Sequence, residues 1–445
     1  MKILSFYKKR IVTIFVSLIY CLSFHYVYLT WLEPTFGYFG FDYIYPGSLS
    51  IISCYLFLLI PSLWLPYNIN KPSQSIYTIF YIIGYIPIIF ISFITHLDAY
   101  SSLITVYIIM LMGMYIMYLG SNSAIIFSIP INLKYFWIML FGLTGFFLLY
   151  TIYIFWGTFK FPNFFNTEQV YEVRLTNIPS HFPFLGLYPI TILSTALLPF
   201  LLVFGLLYKK VVFILISIAG QVLLYATTAN KSFLISVVVT FIFFIFFKNF
   251  KNFSIKIMLA LSVCMLLFTT LSINFTTENS GVFYFVTMML VMRTIGIGGI
   301  SFNAYYNFFK THPFTYYSHV NIVKPFIVYP YGSQSLGEVI GKEVFNTDDI
   351  NANATFFITD GIAAAGLPGI LIISVLMAIV FMLINGSAKN NSLLFCCLML
   401  INPALSLLNT SLFTTLFTGG LGLTITILAF YKTSSTNSTY NTLGS

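Results

Sequence analysis

The stretch IYTIFYIIGYIPIIFISFIT, residues 76–95, decides the fold class of this chain. It contains no charged side chain, and about 20 apolar residues are the length that a helix needs to cross ~30 Å of hydrocarbon. Because lipid offers no partners to free backbone groups, only helices and closed barrels cross it. An uninterrupted apolar run of this length therefore predicts a transmembrane helix.

Similar runs recur along the whole chain. Hydrophobic residues make up 59% of the sequence and charged residues 7%, whereas soluble domains contain about 45–50% and 25%. We therefore predict an all-α, polytopic integral membrane protein that forms a single membrane domain over residues 1–445. Twelve spans are predicted, at 11–31, 49–66, 76–95, 101–119, 135–156, 187–207, 211–227, 232–247, 257–275, 366–385, 393–410 and 412–430.

Two connections between the predicted spans are long, at 157–186 and 276–365. The second contains the apolar segment 282–300, which carries Arg293. Because a charge in the middle of a membrane is costly, we predict that this segment is an interfacial or re-entrant helix. It is expected to end at three glycines, Gly296, Gly298 and Gly299. The alternative is a further span, which would invert the topology of everything after it.

The distribution of charge predicts the orientation. With a cytoplasmic N-terminus, all eleven Asp and Glu residues and four of the five histidines fall outside the cytoplasm. Because acid–base catalysis requires such side chains near the substrate, any reaction is expected outside. Thirteen of the 20 Lys and Arg residues fall inside, as the positive-inside rule expects: Lys2, Lys8, Lys9, Arg10, Lys71, Lys134, Lys209, Lys210, Lys248, Lys251, Lys256, Lys389 and Lys432.

Several classes of function are disfavoured. The net charge of +9 follows from this asymmetry, so we predict no nucleic-acid partner. The sequence has no phosphate-binding loop, no HExxH or Cys/His metal spacing and no Gly-x-Ser-x-Gly elbow. We therefore expect no cofactor and no metal. The tail 433–445 is rich in Ser, Thr and Asn, which predicts a disordered cytoplasmic segment.

Arg174 is the first of three cations that are candidates for binding an anion on the outer side. It lies in YEVRLTNIPSHFPFLG, residues 171–186 of the first long loop. A guanidinium presents a planar fork of donors that matches phosphate or carboxylate oxygens. The alternative is a surface arginine paired with Glu172 or Glu168.

Arg293 and Lys231 are the other two cations. Arg293 opens RTIGIGGISFN, residues 293–303, where glycines would let backbone N–H groups approach an anion; the alternative is a helix kink. Lys231 lies in TTANKSF, residues 227–233, between two apolar runs joined so closely that the lysine is expected at the membrane surface. A lipid phosphate would lie at that depth, although a lysine that snorkels from a helix end explains the position equally well.

Candidate bases occur in two outer segments. His312 and His319 lie in THPFTYYSHV, residues 311–320, and a neutral imidazole can accept a proton from a sugar hydroxyl. The alternative for each is a hydrogen-bonded loop histidine. Asp360 lies in ITDGIAAAGLPG, residues 358–369, where the chain re-enters the membrane. It is either a catalytic acid–base group or the N-cap of a helix.

These features together resemble the bacterial O-antigen polymerases, the Wzy-type enzymes that polymerise oligosaccharide repeat units. The resemblance rests on many spans, two enlarged outer loops with an arginine in each (Arg174 and Arg293), the NKS turn at 230–232, and NATFFITDGIAAAGLPG at 353–369. It implies a helical bundle of the kind found in related membrane glycosyltransferases of the GT-C type, with a lateral opening to lipid. It also implies a bacterial inner-membrane location with both termini in the cytoplasm.

The resemblance further implies a substrate and a role for each candidate residue. Donor and acceptor would be oligosaccharides on undecaprenyl pyrophosphate, in contact with membrane lipid, and a chain-length regulator would be a partner. Arg174, Arg293 and Lys231 would bind pyrophosphate, while His319, His312 or Asp360 would supply the base. Two alternatives stay open: an O-antigen ligase-like glycosyltransferase, and a flippase for lipid-linked oligosaccharides.

Overall fold

The computed structural model describes residues 2–246, 251–274, 281–320, 323–345, 351–352 and 356–432. Within these ranges the chain is all-helical and contains no strand. It is a polytopic membrane protein. Nine of the helices in the described part are long and apolar enough to cross a membrane: Tyr7–Phe39, Pro72–Ile94, Tyr100–Ser121, Leu133–Ile154, Tyr188–Tyr208, Val211–Thr228, Phe253–Asn274, Gly281–Phe308 and Phe356–Asn390.

Each of the twelve predicted spans corresponds to an apolar helix, but the helices differ in length. Eight coincide with the long helices, all except Gly281–Phe308. The other four coincide with shorter ones, at Ser48–Leu63, Ser232–Ile245, Leu393–Leu407 and Leu421–Phe430. Twelve crossings therefore stay a prediction. Two further helices, Thr167–Thr176 and Leu336–Phe345, belong to the long loops, while Leu412–Phe417 occupies the first part of the predicted span 412–430.

One end of the bundle collects the cations of the short connections. Arg10 donates to the carbonyl of Leu65 at 2.8 Å, and Asn385 donates to the carbonyl of Ser121 at 3.0 Å, so the N-terminus of the first helix and three later connections meet there. We call it the basic end. Its described cations are Lys8, Lys9, Arg10, Lys71, Lys134, Lys209, Lys210, Lys251, Lys256, Lys389 and Lys432.

The opposite end collects the carboxylates, and we call it the acidic end. The amide of Ile44 donates to the carbonyl of Ile94 at 2.9 Å, and Asn303 donates to Thr95 Oγ1 at 2.8 Å. The described carboxylates here are Glu33, Asp42, Asp98, Glu168, Glu172, Glu338 and Glu343, with Asp360 deeper inside the bundle. Two opposed ends of unlike charge are what the sequence predicts, although the structure contains no membrane that would orient them.

The helix Gly281–Phe308 differs from the expectation for segment 282–300. It does not end at the glycine cluster but continues through it to Phe308. A Cβ at Gly299 would lie 2.6 Å from Ile91, so this glycine allows close packing of two helices and does not form an anion-binding turn. Both ends of the helix lie near the acidic end: Trp31 contacts Tyr284, and the Tyr306 hydroxyl donates to Asp98 at 2.9 Å.

The long helix Phe356–Asn390 is broken. Ala365 and Gly366 leave helical geometry, and Gly366 takes a φ of +66° that favours glycine. A Cβ at Gly361 would lie 2.6 Å from the backbone of Ile370, so the segments on either side of the break pack against each other. Residues 356–364 therefore form a half-helix that begins deep in the bundle, where the Phe356 ring packs against Phe80.

A second break lies beside the first. The helix Leu393–Leu407 ends inside the bundle, and after a short interruption the chain forms Leu412–Phe417 and then Leu421–Phe430. Helix ends leave backbone N–H and C=O groups without partners within the helix. Irregular backbone at membrane depth is tolerated where protein buries it or where it lines a cavity. The two breaks therefore mark the part of the core where polar chemistry can be held.

Candidate functional site

The two broken helices and the loop after Phe308 bring His319 and Asp360 together. His319 Nε2 lies 3.5 Å from Asp360 Oδ1, and the side chains are 9% and 0% exposed. The second carboxylate oxygen, Oδ2, accepts a hydrogen bond from the backbone N–H of Leu412 at 3.0 Å. Asp360 does not cap its own helix, which starts at Phe356. It instead accepts from the first N–H of the short helix that begins at Leu412, across the second break, while Ser411 is the N-cap of that helix.

The loop that carries His319 is tied directly to the half-helix. The backbone N–H and the hydroxyl of Thr315 lie 2.8 and 2.9 Å from the carbonyl of Ala363, and the N–H of Tyr316 donates to the carbonyl of Ala364 at 3.0 Å. These carbonyls are free because the helix breaks directly after them. Thr315 Oγ1 also lies 2.8 Å from His319 Nδ1, which fixes the orientation of the ring.

The two ring nitrogens of His319 face different groups. Nδ1 faces the Thr315 hydroxyl, while Nε2 and Asp360 Oδ1 lie close without a hydrogen bond between them. A carboxylate and a bare ring nitrogen would repel each other, whereas a proton on either atom would make the contact attractive. The pair is therefore arranged to hold and exchange a proton away from water. Burial and the charge of Asp360 raise the pKa of Tyr317, which lies beside the pair, well above its ordinary value.

His312 occupies a different environment although it belongs to the same segment. Its ring stacks on Phe308 at 4.0 Å between centroids, and its Nε2 lies 3.2 Å from Glu343 Oε2. His312 and Glu343 are 36% and 49% exposed. The two histidines thus each have a carboxylate partner, but only the His319 partner is enclosed by protein.

Arg174 and Lys231 form a second cluster at the acidic end. The guanidinium of Arg174 donates to the carbonyl of Ala229 at 3.2 Å, two residues before Lys231. Lys231 is only 8% exposed, and its ammonium lies over the rings of Phe285 and Phe164, at 4.6 and 5.5 Å from their centroids. Cations over aromatic faces are attracted by the ring quadrupole.

Neither cation of this cluster has a carboxylate partner among the described residues. The alternative of an ion pair between Arg174 and Glu172 or Glu168 therefore does not hold in the part of the chain that the structure describes. Desolvation, and next the positive charge of Arg174, lower the pKa of Lys231. Two cations held close together without an anion are a local excess of charge that a bound anion would relieve.

Arg293 does not join Arg174 and Lys231. It lies in the π-helical stretch Met288–Gly296, and its side chain is exposed and has no partner within the described ranges. It is eight residues beyond Phe285 on the same helix, which corresponds to roughly 12 Å at 1.5 Å per residue. The predicted trio of cations is therefore a pair with a third cation farther along one helix.

The sequence did not single out Thr315, Ala363 or the N–H of Leu412, which hold the buried pair in place. Thr315 stands four residues before His319 within the segment already selected, so its hydroxyl was a detectable signal. Leu412 carries no such signal, because its contribution is a backbone group at a helix break. Neither a family model nor a curated protein nor a solved structure matches this chain.

Chemically, the acidic end offers a shielded acid–base pair and a pair of cations, of which Lys231 is buried and Arg174 is exposed. The first can take a proton from a hydroxyl and stabilise the resulting imidazolium with the Asp360 carboxylate. The second can stabilise negative charge on phosphate oxygens. The potential catalytic groups are thus two unlike clusters on the same side of the bundle.

Proposed function

We propose that this protein polymerises oligosaccharide repeat units carried on undecaprenyl pyrophosphate, as a membrane glycosyltransferase of the O-antigen polymerase type. The observation that carries the proposal is the pair Arg174–Lys231: two cations, one of them almost fully buried, that have no described carboxylate partner. Such a pair suits the phosphate oxygens of a lipid-linked substrate. In this proposal the acidic end faces away from the cytoplasm of a bacterial inner membrane, and both termini are cytoplasmic.

The reaction needs one base and one anion site. His319 removes the proton from a hydroxyl of the acceptor sugar, and that oxygen attacks the anomeric carbon of the donor. The bond between this carbon and the pyrophosphate oxygen breaks, and undecaprenyl pyrophosphate leaves with the electron pair. Asp360 stabilises the imidazolium at 3.5 Å, while Arg174 and Lys231 stabilise the leaving pyrophosphate.

His319 is preferred over His312 as the base. Its Nε2 faces the enclosed carboxylate of Asp360 at 3.5 Å, which would stabilise the positive charge that the ring gains when it takes up a proton. Arg293 lies on the exposed face of its helix, where it would contact the second lipid-linked substrate or the membrane headgroups. A pyrophosphate leaving group is already activated, so the proposed reaction requires no nucleotide.

The experiment is a gel of surface glycan from cells that lack the gene, complemented with the wild type or with Arg174→Ala or Lys231→Ala. We expect both variants to lose the long glycan ladder while single repeat units still reach the surface. Removing one group that stabilises developing charge costs roughly a hundredfold or more in rate. Arg174→Lys should restore activity only in part, because lysine lacks the planar fork of donors.

The matched control is Lys160→Ala, an exposed cation of the same loop whose ammonium lies 3.3 Å from Thr176 Oγ1. It should leave the ladder intact, with protein levels measured for every variant. Repeat units that accumulate on the carrier inside the cell would instead indicate a flippase. Polymer that is made but stays on its carrier would indicate a ligase. A normal ladder in both Arg174→Ala and Lys231→Ala would overturn the assignment of the anion site.

A further inference from the structure

A cavity of about 540 Å³ lies at the acidic end, apart from both clusters described above. Its walls are the turn at residues 37–42, one face of Gly281–Phe308 and the end of Leu336–Phe345. The volume falls within the ~300–1,000 Å³ of small-molecule sites. The turn is shaped by Gly40, whose φ of +99° favours glycine, and the stacked rings of Phe39 and Phe345, 5.2 Å apart, connect the walls.

Asn303 forms part of the cavity wall but presents no free polar group to it. Its amide donates to the Thr95 hydroxyl at 2.8 Å, and its Oδ1 is buried within the protein. Asp42 is exposed, and its carboxylate has no partner among the described residues.

Asn307 adds a donor to this set. Its Oδ1 lies 3.4 Å from the ammonium of Lys310, which leaves its NH₂ group free to point elsewhere. Asn303 and Asn307 are four residues apart on one helix, so they share a face. The cavity therefore presents a donor, the Asn307 NH₂ group, and an acceptor, the Asp42 carboxylate.

The lining excludes some ligands and favours others. Among the described residues that line it there is no Lys, Arg or His, and Lys310, which contacts Asn307, is already paired with Asp98 at 3.0 Å. This lining therefore lacks the free positive charge that a phosphate or pyrophosphate group would need. It combines the Asn307 amide and the Asp42 carboxylate with the rings of Phe39 and Phe345 and the exposed ring of Tyr38. Sugar hydroxyls both donate and accept hydrogen bonds, and a pyranose has an apolar face that can lie against an aromatic ring.

We propose that this cavity is a saccharide-binding subsite for a neutral sugar ring, separate from the place where the glycosidic bond forms. The inference rests on the proposed function for the source of its ligand, since a polymerase must hold a glycan that extends beyond the reacting sugars. In this proposal Tyr38 lies against the sugar ring, and Asp42 and Asn307 form hydrogen bonds with its hydroxyls. The subsite would hold part of the donor or acceptor glycan and so raise its local concentration at the reacting centre.

The test is saturation-transfer NMR on the full-length protein in detergent, with free glucose, galactose, N-acetylglucosamine and rhamnose as probes. Transfer to the ring protons of at least one sugar is expected. Asn307→Ala removes a hydrogen bond and Tyr38→Ala removes the stacking ring, and each should weaken binding about tenfold. Tyr38→Phe keeps the ring and should bind normally, as should Tyr135→Ala, which removes an exposed tyrosine at the basic end.

The same variants separate the two proposals in a polymerisation assay with lipid-linked repeat units. Asn307→Ala should raise the KM about tenfold and leave the kcat unchanged. Sugar binding that depends on Tyr38 and Asn307 in a protein that does not polymerise would overturn the proposed function and keep the subsite. The subsite would be overturned if both variants polymerised with wild-type kinetics. It would also be overturned if no sugar gave saturation transfer, or if the transfer were the same in the wild type and the variants.

Discussion

Two histidine–carboxylate pairs lie at the same end of this molecule and differ mainly in what surrounds them. His312 and Glu343 are 3.2 Å apart and 36% and 49% exposed, whereas His319 and Asp360 are 3.5 Å apart and 9% and 0% exposed. Water screens the first pair, but protein surrounds the second. The same two chemical groups, an imidazole and a carboxylate, therefore form a weak surface contact in one place and a buried contact, costly to disrupt, in the other.

The comparison teaches that distance alone does not identify a functional pair. The shorter of the two contacts is the more exposed, and it lies between a loop residue and a separate helix of the same loop. The longer contact joins a loop to a half-helix and, through the N–H of Leu412, to a second broken helix. Removing a member of the buried pair therefore disturbs three segments of chain at once.

The largest loss of stability is expected for Asp360→Ala. Removal of one partner of a buried pair costs about 3–5 kcal/mol, because the other polar groups stay buried without compensation. His319 and the N–H of Leu412 would both lose their partner. The matched variant Glu343→Ala should change the free energy of unfolding by at most about 1 kcal/mol. Thermal unfolding in detergent measures the stability of both variants. Equal losses of stability in the two variants would contradict the difference between the buried and the exposed pair.

An intermediate loss of stability is expected when the threonine that contacts the buried histidine is replaced, and a smaller one at the exposed histidine. Thr315 Oγ1 lies 2.8 Å from His319 Nδ1 and 2.9 Å from the carbonyl of Ala363, while Thr311 Oγ1 lies 3.0 Å from His312 Nδ1. Thr315→Val leaves a buried nitrogen without a partner and should cost about 1–3 kcal/mol. Thr311→Val, at the exposed pair, should stay within about 0.5 kcal/mol. The same unfolding assay compares them, and a larger loss for Thr311→Val would reverse the comparison.

The smallest effect is expected for a third pair at this end, Asp98 with Lys310, at 3.0 Å. The hydrogen bond from Lys310 comes first among the causes that lower the pKa of Asp98, followed by the N–H of Ala99. A carboxyl whose pKa is lowered on folding adds stability above its unfolded pKa, about 3.9, and loses it as the pH falls through the folded value. The pair is partly exposed, so its contribution should be at most about 1 kcal/mol.

The measurement is the difference in unfolding free energy between wild type and Asp98→Asn as a function of pH. We expect a small difference at neutral pH that disappears as the pH falls below about 4. A difference that persists in acid, or one that changes near neutral pH, would show that this pair does not act as a simple surface carboxylate–ammonium contact.

Much of the architecture was predictable because a bilayer imposes a strong constraint on sequence. Apolar runs such as 76–95 had to become helices, and eleven of the predicted segments correspond to one apolar helix each, whereas 412–430 is divided between two short helices. The separation of charge also followed from the sequence, since short connections place their residues at alternate ends. The segment 282–300 was harder to predict, because glycines that end one helix can also let two helices pack closely, as Gly299 does against Ile91.

The sequence by itself determined the class of the protein, the two unlike ends and the residue types available at each. It selected His312, His319, Asp360, Arg174 and Lys231 as candidates. Only the tertiary structure decided that His319 meets Asp360, that Arg174 lies beside Lys231 and that Arg293 stands apart. Apolar length is a local property of the chain, whereas burial and pairing depend on where two helices break and which distant backbone groups those breaks leave free.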